Sequence, residues 1–511
     1  MLEDHSIERP TIRDYREPAF IVIMVVGIAL RFIALGAQSF WYDEAHSVAM
    51  AQGGADGTIL KTVTNIHGPL YLTILRGWMA VLGTSEGVVR ALSAILGSFG
   101  LFLFYRLGLR YFGRNTALIA LALLAASPFY LWYSQEARNY ALLFDLGLVA
   151  VPAFLTEMRT RAAGDFVAAL IVTAATCLSN LSGFFLYVLF GIIAITTGRR
   201  EGYPLRRFLL FAMVSAAILW PWISGGMKST GDIILGRPGE GAVIQGVKGE
   251  SPPGLMSLPF TIYNFSMGMT IGPSIDELKL ERFTGAVPHL WYLLPGAAIF
   301  AGLFLRGLVR TPKDRRWLLF VWFAVPLTLM AALSVLNLKA PNSRYAFLSF
   351  APFLYLIAVG AASIRSTTFK VTVLAFVFGI MGFADYQYFT DQRYWRPDTR
   401  SAGKLVMEEM KPGDAVVVYA LDFPMRYYTE YKVDILKPPG KIFKSRDTML
   451  PWLVESTAGK DRVWVVQCMS WWVDREDRFI DLCRERMTPA GEWQFNKVPV
   501  YLFEKRTLGG S

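Results

Sequence analysis

Apolar runs of about 17–22 residues recur along the chain, and each is long enough to cross a bilayer as a helix. They fall at roughly 19–36, 87–105, 116–133, 140–157, 166–180, 182–198, 208–225, 289–305, 317–336, 345–363 and 369–384. No other feature restricts the fold as much. In hydrocarbon every backbone polar group must be satisfied within the segment, so such runs fold as helices. Composition agrees. The 511 residues are 54% hydrophobic, 14% aromatic and only 18% charged, with a mean hydropathy of +0.38, whereas a soluble domain carries about 25% charge. The net charge of +11 would suit nucleic acid, but the basic residues sit in short loops between apolar runs, where they act as topology signals. The expected class is therefore an all-α polytopic membrane protein with about eleven transmembrane helices. The runs at 166–180 and 182–198 are short and could instead form a re-entrant pair.

Alternate loops hold the arginines: Arg9/Arg13/Arg16, Arg106/Arg110/Arg114, Arg159/Arg161, Arg199/Arg200/Arg206/Arg207, Arg306/Arg310/Arg315/Arg316 and Arg365. The positive-inside rule makes that side cytoplasmic, with the N-terminus (1–18) on it. The acidic, polar start has no small-residue cleavage site and does not read as a signal peptide, so the first span is expected to be retained. An odd number of spans places the C-terminus outside. The membrane part, 19–384, then carries two large outer loops, 37–86 and 226–288, the second Gly/Pro-rich at its centre. Residues 385–511 change composition and read as a soluble α/β domain. "GDAVVVYA" (413–420) and "RVWVVQC" (462–468) suit buried strands, 398–410 and 474–487 suit helices, and 492–505 suits a final hairpin. Cys468 and Cys483 in this domain would face an oxidising compartment, where pairing depends on whether they face each other. No CxxC occurs and histidines number four, so no Cys/His zinc site is expected.

The first outer loop opens with "FWYDEAHSVAM" (40–50). As a helix at the interface it puts Asp43 and Glu44 near the positive end of the helix dipole. Asp43 and His46, three residues apart, share a face, and Glu44 points elsewhere. By itself this could be a solvated helix start. Other outer-face residues strengthen it: His67 and Tyr71 in "HGPLY" (67–71), Tyr133, Glu136, Arg138 and Tyr140 in "YSQEARNYAL" (133–142), and Lys339, Arg344 and Tyr345 in 337–348. Ionisable groups at the bilayer edge are costly unless paired or functional. A carboxylate can take a proton from an attacking hydroxyl, and guanidinium groups can stabilise a departing phosphate. No D-x-D, P-loop or strand-linked G-x-G-x-x-G is present, which directs such chemistry away from nucleotide donors and toward a sugar carried on a lipid phosphate.

"WYDEAHS" resembles the acidic signature of the GT-C membrane glycosyltransferases. "HGPLY", with Gly68 in place of a proline, is similar to the H-P-P-L-Y element of the branch holding protein O-mannosyltransferases and lipid A aminoarabinose transferases (glycosyltransferase families 39 and 83). "YSQEARNYAL" and "SRYAFLSFAPFL" (343–354) are similar to two later elements of that branch. The resemblance spans the membrane part. It implies an enzyme of the inner (plasma) membrane with its tail domain periplasmic or otherwise extracytoplasmic, a polyprenyl-phosphate-linked sugar donor, inversion at the anomeric carbon, and a glycan, lipid or protein acceptor. It makes Asp43 the catalytic base and Glu44 an organiser of neighbours such as Arg138. Arg138 and Arg344, with Lys339 third, are then ligands of the donor phosphate. His46, His67, Tyr71, Tyr133, Glu136, Tyr140 and Tyr345 shape the pocket. Some relatives carry a divalent metal, and no ligand set for one stands out here. Two other classes remain: a polyprenyl-lipid transporter or flippase, which favours ionisable groups deep in spans and paired broken helices, and a non-catalytic envelope scaffold using the tail domain.

Overall fold

The computed structural model describes residues 11–53, 57–63, 68–234, 257–281, 284–336, 342–420, 422–469 and 474–506. Among them, eight helices are long and apolar enough to span a membrane: Glu86–Phe112, Tyr140–Thr160, Leu181–Gly198, Leu205–Ser224, Thr284–Arg310, Lys313–Val335, Ser343–Ala362 and Thr367–Thr390. A ninth forms if Arg114–Ala125 and Pro128–Ser134, which meet at a 60° bend, count as one span. The bend has a local cause: Pro128 cannot donate a backbone hydrogen bond, and Ser127 restarts the helix by accepting from the Tyr130 amide at 3.2 Å. The two other expected spans are apolar but shorter, Pro18–Phe32 and Ala163–Ser179. The last helix runs to Thr390, beyond the expected end at 384, and so encloses Asp385.

The site is positioned by α1 (Pro18–Phe32), α2 (Tyr42–Ala51), α3 (Pro69–Leu82), α4 (Glu86–Phe112), α5 (Arg114–Ala125), α6 (Pro128–Ser134), α7 (Tyr140–Thr160), α8 (Leu290–Arg310), α9 (Phe350–Ala362) and α10 (Thr367–Thr390). Arg31 is fully buried at the end of α1. It donates to the carbonyl of Gly27 at 2.6 Å and, across the bundle, to that of Leu124 at 3.2 Å, so one guanidinium ties α1 to the end of α5. Helices α8 and α9 touch backbone to backbone through Gly307 and Gly360: a methyl group on Gly360 would run into the Leu303 carbonyl, and one on Gly307 into that of Leu356. Small residues permit this approach where lipid offers no hydrophobic drive between helices.

The tail folds as a five-stranded sheet of order β2-β1-β3-β5-β4. It contains α11 (Thr399–Glu409), β1 (Ala415–Tyr419), α12 (Asp422–Tyr428), β2 (Ile435–Leu436), α13 (Arg446–Ser456), β3 (Arg462–Gln467), α14 (Arg478–Arg486), β4 (Met487–Phe495) and β5 (Val498–Lys505). Strands β2, β1 and β3 are parallel, and β5 and β4 add antiparallel. Every residue of β1 is buried, as expected of a central parallel strand covered on both faces. Val417 and Val465 face α13 and α14, while Val416, Val418 and Val466 face α11 and α12. The helix expected over 474–487 starts only at Arg478, because residues before it turn around the Asp474 carboxylate, which accepts from the Phe479 amide at 2.8 Å. Cys468 and Cys483 are free and buried. They belong to opposite faces of the sheet, which rules out the pairing that their compartment would have allowed. Substituting Gly360 by Ala should destabilise the bundle by about 1–3 kcal/mol, read as a lower Tm of the detergent-solubilised protein; an unchanged Tm would show that α8 and α9 can separate freely.

Candidate active site

The two adjacent acids diverge because α2 begins at Tyr42. Successive residues of a helix point about 100° apart, so Asp43 and Glu44 cannot share surroundings. Glu44 turns inward and is fully buried. Its carboxylate accepts both forks of Arg90 on α4 at 2.8 Å, the Ala137 amide at 3.0 Å and the amide of Trp41 at the head of its own helix at 3.0 Å. Arg396, between α10 and the tail, approaches it at 3.2 Å. Burial works against this carboxylate's charge, but Arg396, Arg90 and the amide donors outweigh it and hold the pKa at about 2. The cations paired with Glu44 are Arg90 and Arg396; Arg138, the expected neighbour, bonds to Ser47 instead.

Asp43 turns the other way and its side chain keeps 22% of its exposure. Arg344 Nη1 donates to Asp43 Oδ2 at 2.5 Å. Arg138 lies on the same side, donating to Ser47 Oγ at 3.1 Å and reaching the Asp43 carbonyl at 3.4 Å. Burial raises the Asp43 pKa, but Arg344 and Arg138 together more than cancel this and hold the carboxyl well below the usual range. Both guanidinium groups lie over the ring of Tyr140, at 6.0 Å for Arg138 and 5.7 Å for Arg344, and Arg344 also lies over Tyr345 at 5.6 Å. Tyr133 meets Tyr140 edge-on at 4.9 Å and fixes its ring from behind. Tyr71 is buried; its hydroxyl bonds Ser93 Oγ at 2.9 Å, and Ser93 in turn donates to the Arg138 carbonyl at 3.3 Å. It supports the arginine loop, residues 135–139, which carries Arg138.

Gly68 resolves its departure from the H-P-P-L-Y pattern. It stands at φ +94°, a value closed to proline, and any side chain there would strike the Ser179 carbonyl and the Asn139 amide. Asn139 Nδ2 donates to that same carbonyl at 2.5 Å, tying the arginine loop to the end of the helix Ala163–Ser179. His67 and Lys339 lie outside the described residues.

His46 shares the Asp43 face of α2, as its spacing requires. The tail domain reaches it: the Phe423 ring on α12 meets His46 edge-on at 4.9 Å and Tyr42 at 5.4 Å. Burial and Arg138 keep the imidazole neutral, its pKa lowered to about 4. Glu136 is buried between the two carboxylate clusters. Burial raises its pKa most; Arg396 and Arg344 oppose, Glu44 and Asp43 add, and the net value is about 7. Three contributors escaped the sequence reading. Arg90 carried a signal, an ionisable residue inside an apolar run. Arg396 and Phe423, about 350 residues downstream of the acids, carried none.

Because Glu136 binds its proton more tightly folded than unfolded, its contribution to stability is present below about pH 4.5 and lost as pH rises through 7. Relative to the wild type, Glu136→Gln should therefore gain Tm between pH 5 and pH 8. A wild-type-to-variant Tm difference that stays constant over that window would show Glu136 to be ionised throughout.

Residues 66–224 match the family model described as dolichyl-phosphate-mannose-protein mannosyltransferase, a segment that includes Tyr71, Arg138 and Tyr140 but neither Asp43 nor Arg344. No curated protein matches the chain in sequence. Among solved structures, ArnT from Cupriavidus metallidurans bound to undecaprenyl phosphate aligns with a TM-score of 0.58 at 14% identity, over 94% of this chain and 97% of that one. Its apo form gives 0.59 at 13%, over the same shares. The archaeal oligosaccharyltransferase AglB from Archaeoglobus fulgidus, in complex with an inhibitory peptide and a dolichol-phosphate, gives 0.52 at 13%, over 95% of this chain and 74% of that one. The chain thus shares its overall fold with ArnT and AglB, and in that fold and its matched segment it resembles the GT-C membrane glycosyltransferases.

Proposed function

We propose that the protein is an integral-membrane inverting glycosyltransferase that moves a sugar from a polyprenyl phosphate to a glycan, lipid or protein acceptor at the outer face of the membrane. The observation that carries this reading is the half-open Asp43 carboxylate paired with Arg344 at 2.5 Å, with Arg138 bonded to Ser47 on the next turn of α2. The acceptor oxygen attacks the anomeric carbon opposite the phosphate, its proton passes to Asp43, and the carbon–oxygen bond to the phosphate breaks with its electron pair leaving on the polyprenyl phosphate. Arg138 and Arg344 receive the charge that develops there. Attack from the opposite face inverts the anomeric centre.

The resting pair also offers a way to activate the base. With Arg344 bound to it, Asp43 is ionised but weakly basic. A donor phosphate competes for Arg344 and Arg138, and as they turn to it the basicity of Asp43 rises. Lys339 is a third phosphate ligand in this reading, and His46 and Phe423 wall the acceptor side. That ArnT was crystallised with undecaprenyl phosphate and AglB was determined with a dolichol-phosphate supports a lipid-phosphate donor. The assignment of 1–18 to the cytoplasm, 19–384 to the catalytic membrane part and 385–511 to the outer space belongs to the same proposal.

Among the described residues no three His, Cys, Asp or Glu side chains are arranged to hold a divalent cation. Asp43 is engaged by arginine, and the Glu44 lone pairs are taken by two arginines and two amides. A related AglB structure contains zinc and sulfate; no step is assigned to a metal here.

Asp43→Asn should lower transfer from a polyprenyl-phosphate-linked sugar by about 10²–10⁴-fold in protein that still folds; near-normal transfer would remove Asp43 as the base. Arg344→Gln should weaken donor binding and lower kcat together, and a variant with only acceptor KM altered would move the phosphate site elsewhere.

A further inference from the structure

A cleft of about 320 Å³, its open mouth included, lies between the segment following α1 and the end of α10, and the two arginines that hold Glu44, Arg90 and Arg396, line it. Its walls include Ala34, Gln38, Gln135, Tyr388, Trp395 and Arg396. Two neighbouring donors in that wall, Trp395 Nε1 and Arg396 Nη2, are buried and make no hydrogen bond among the described residues. A buried donor without a partner is costly. Arg396 itself is only 6% exposed, so these are not solvated surface groups. The Arg396 amide is fixed by Gln38 Oε1 at 3.1 Å, and its guanidinium lies over Trp132 at 5.8 Å, so the donors are held in place. The charge is favourable too: Arg90 and Arg396 outweigh Glu44, and Glu136, which Arg396 also influences, is only partly ionised at pH 7.

The approach to the cleft is greasy. Phe32 and Ile33 at the end of α1, and Phe383 and Tyr386 on α10, are exposed large apolar side chains. Helices α1 and α10 both pack on α6, so an apolar surface runs from each of them up to the two donors. An unsatisfied guanidinium and indole N–H at the top of such a surface match an anionic oxygen joined to hydrocarbon, and Arg is suited to phosphate.

We propose that this cleft binds the phosphate of a membrane lipid, at a site separate from Asp43, Arg138 and Arg344. Arg396 reaches Glu44 with Nη1 and has its Nη2 left without a partner in the residue set that walls the cleft, so an occupant bonded by Nη2 is coupled to the buried acid that anchors α2. The source follows from the mouth: lipid-facing walls favour a lipid headgroup over free phosphate.

The test uses the full-length protein in nanodiscs of neutral phosphatidylcholine, titrated with phosphatidic acid in one arm and inorganic phosphate in the other. Binding is read by native mass spectrometry and by Tm. Phosphatidic acid should bind and raise Tm. Trp395→Phe, which keeps the ring and removes the donor, should weaken that binding about tenfold, and Arg396→Lys, which keeps the charge on Glu44 but loses the fork, should weaken it similarly. Arg344→Gln should leave it unchanged. Binding that survives Trp395→Phe at full strength, or that is lost in Arg344→Gln, would overturn the proposal by placing the lipid at the donor site. Inorganic phosphate binding as tightly as phosphatidic acid would overturn the lipid source. The failure of Asp43→Asn to affect transfer would bear on the catalytic reading alone.

Discussion

The buried carboxylate of Glu44 is the interaction on which the end of the molecule that carries the tail domain depends. Four parts of the chain converge on it: its own helix through the Trp41 amide, α4 through Arg90, the arginine loop through the Ala137 amide, and the start of the tail through Arg396. A buried carboxylate stays ionised only where partners surround it, and losing one partner of a buried ion pair commonly costs about 3–5 kcal/mol. Satisfying Glu44 therefore forces these segments into one arrangement. Arg90 extends the constraint by donating to the carbonyls of Leu35, Gln38 and Ser39, which fixes the chain leading into α2.

That arrangement lets its neighbour be reactive. Because Glu44 anchors the first turn of α2, Asp43 is set at a defined angle without contributing to the anchor. Its half-open carboxylate is matched to Arg344 and Arg138, and these are steadied by Tyr140 beneath them. The tail domain takes part through direct contacts. Tyr428 accepts from the Phe40 amide at 2.7 Å and bonds Glu86 at 2.9 Å, Arg400 pairs with Glu86 at 2.8 Å, and Phe423 closes on Tyr42 and His46. A domain that reads in isolation as a separate cap is thus packed against the helix that bears the acids.

Much of the site was legible in sequence wherever spacing fixes direction. Asp43 and His46 on one face, Glu44 on another, follow from helical periodicity alone. Arg138 and Arg344 were legible as costly charges at the bilayer edge. The partners of Glu44 were not. Arg90 sits within an apolar run and reads as part of a span, and Arg396 follows the last span with no pattern around it. Tyr71 was placed in the site but serves behind it, because proximity in sequence to a Gly-Pro turn does not say which way a ring will face once α3 packs on α4.

The sequence by itself determined the class of molecule and the order of its parts. Hydrocarbon thickness and the need to satisfy backbone groups leave long apolar runs little choice, and the short unbroken apolar runs of β1 and β3 leave the tail little choice either. It also determined that adjacent acids on α2 would part company, since a helix separates successive side chains. Only the tertiary structure decided which acid would be buried and which would stay open, that Cys468 and Cys483 lie across a sheet from each other, and that residues some 350 positions apart meet at Glu44. These outcomes depend on desolvation and on which charges meet, and both are set by packing between distant segments rather than by any local pattern.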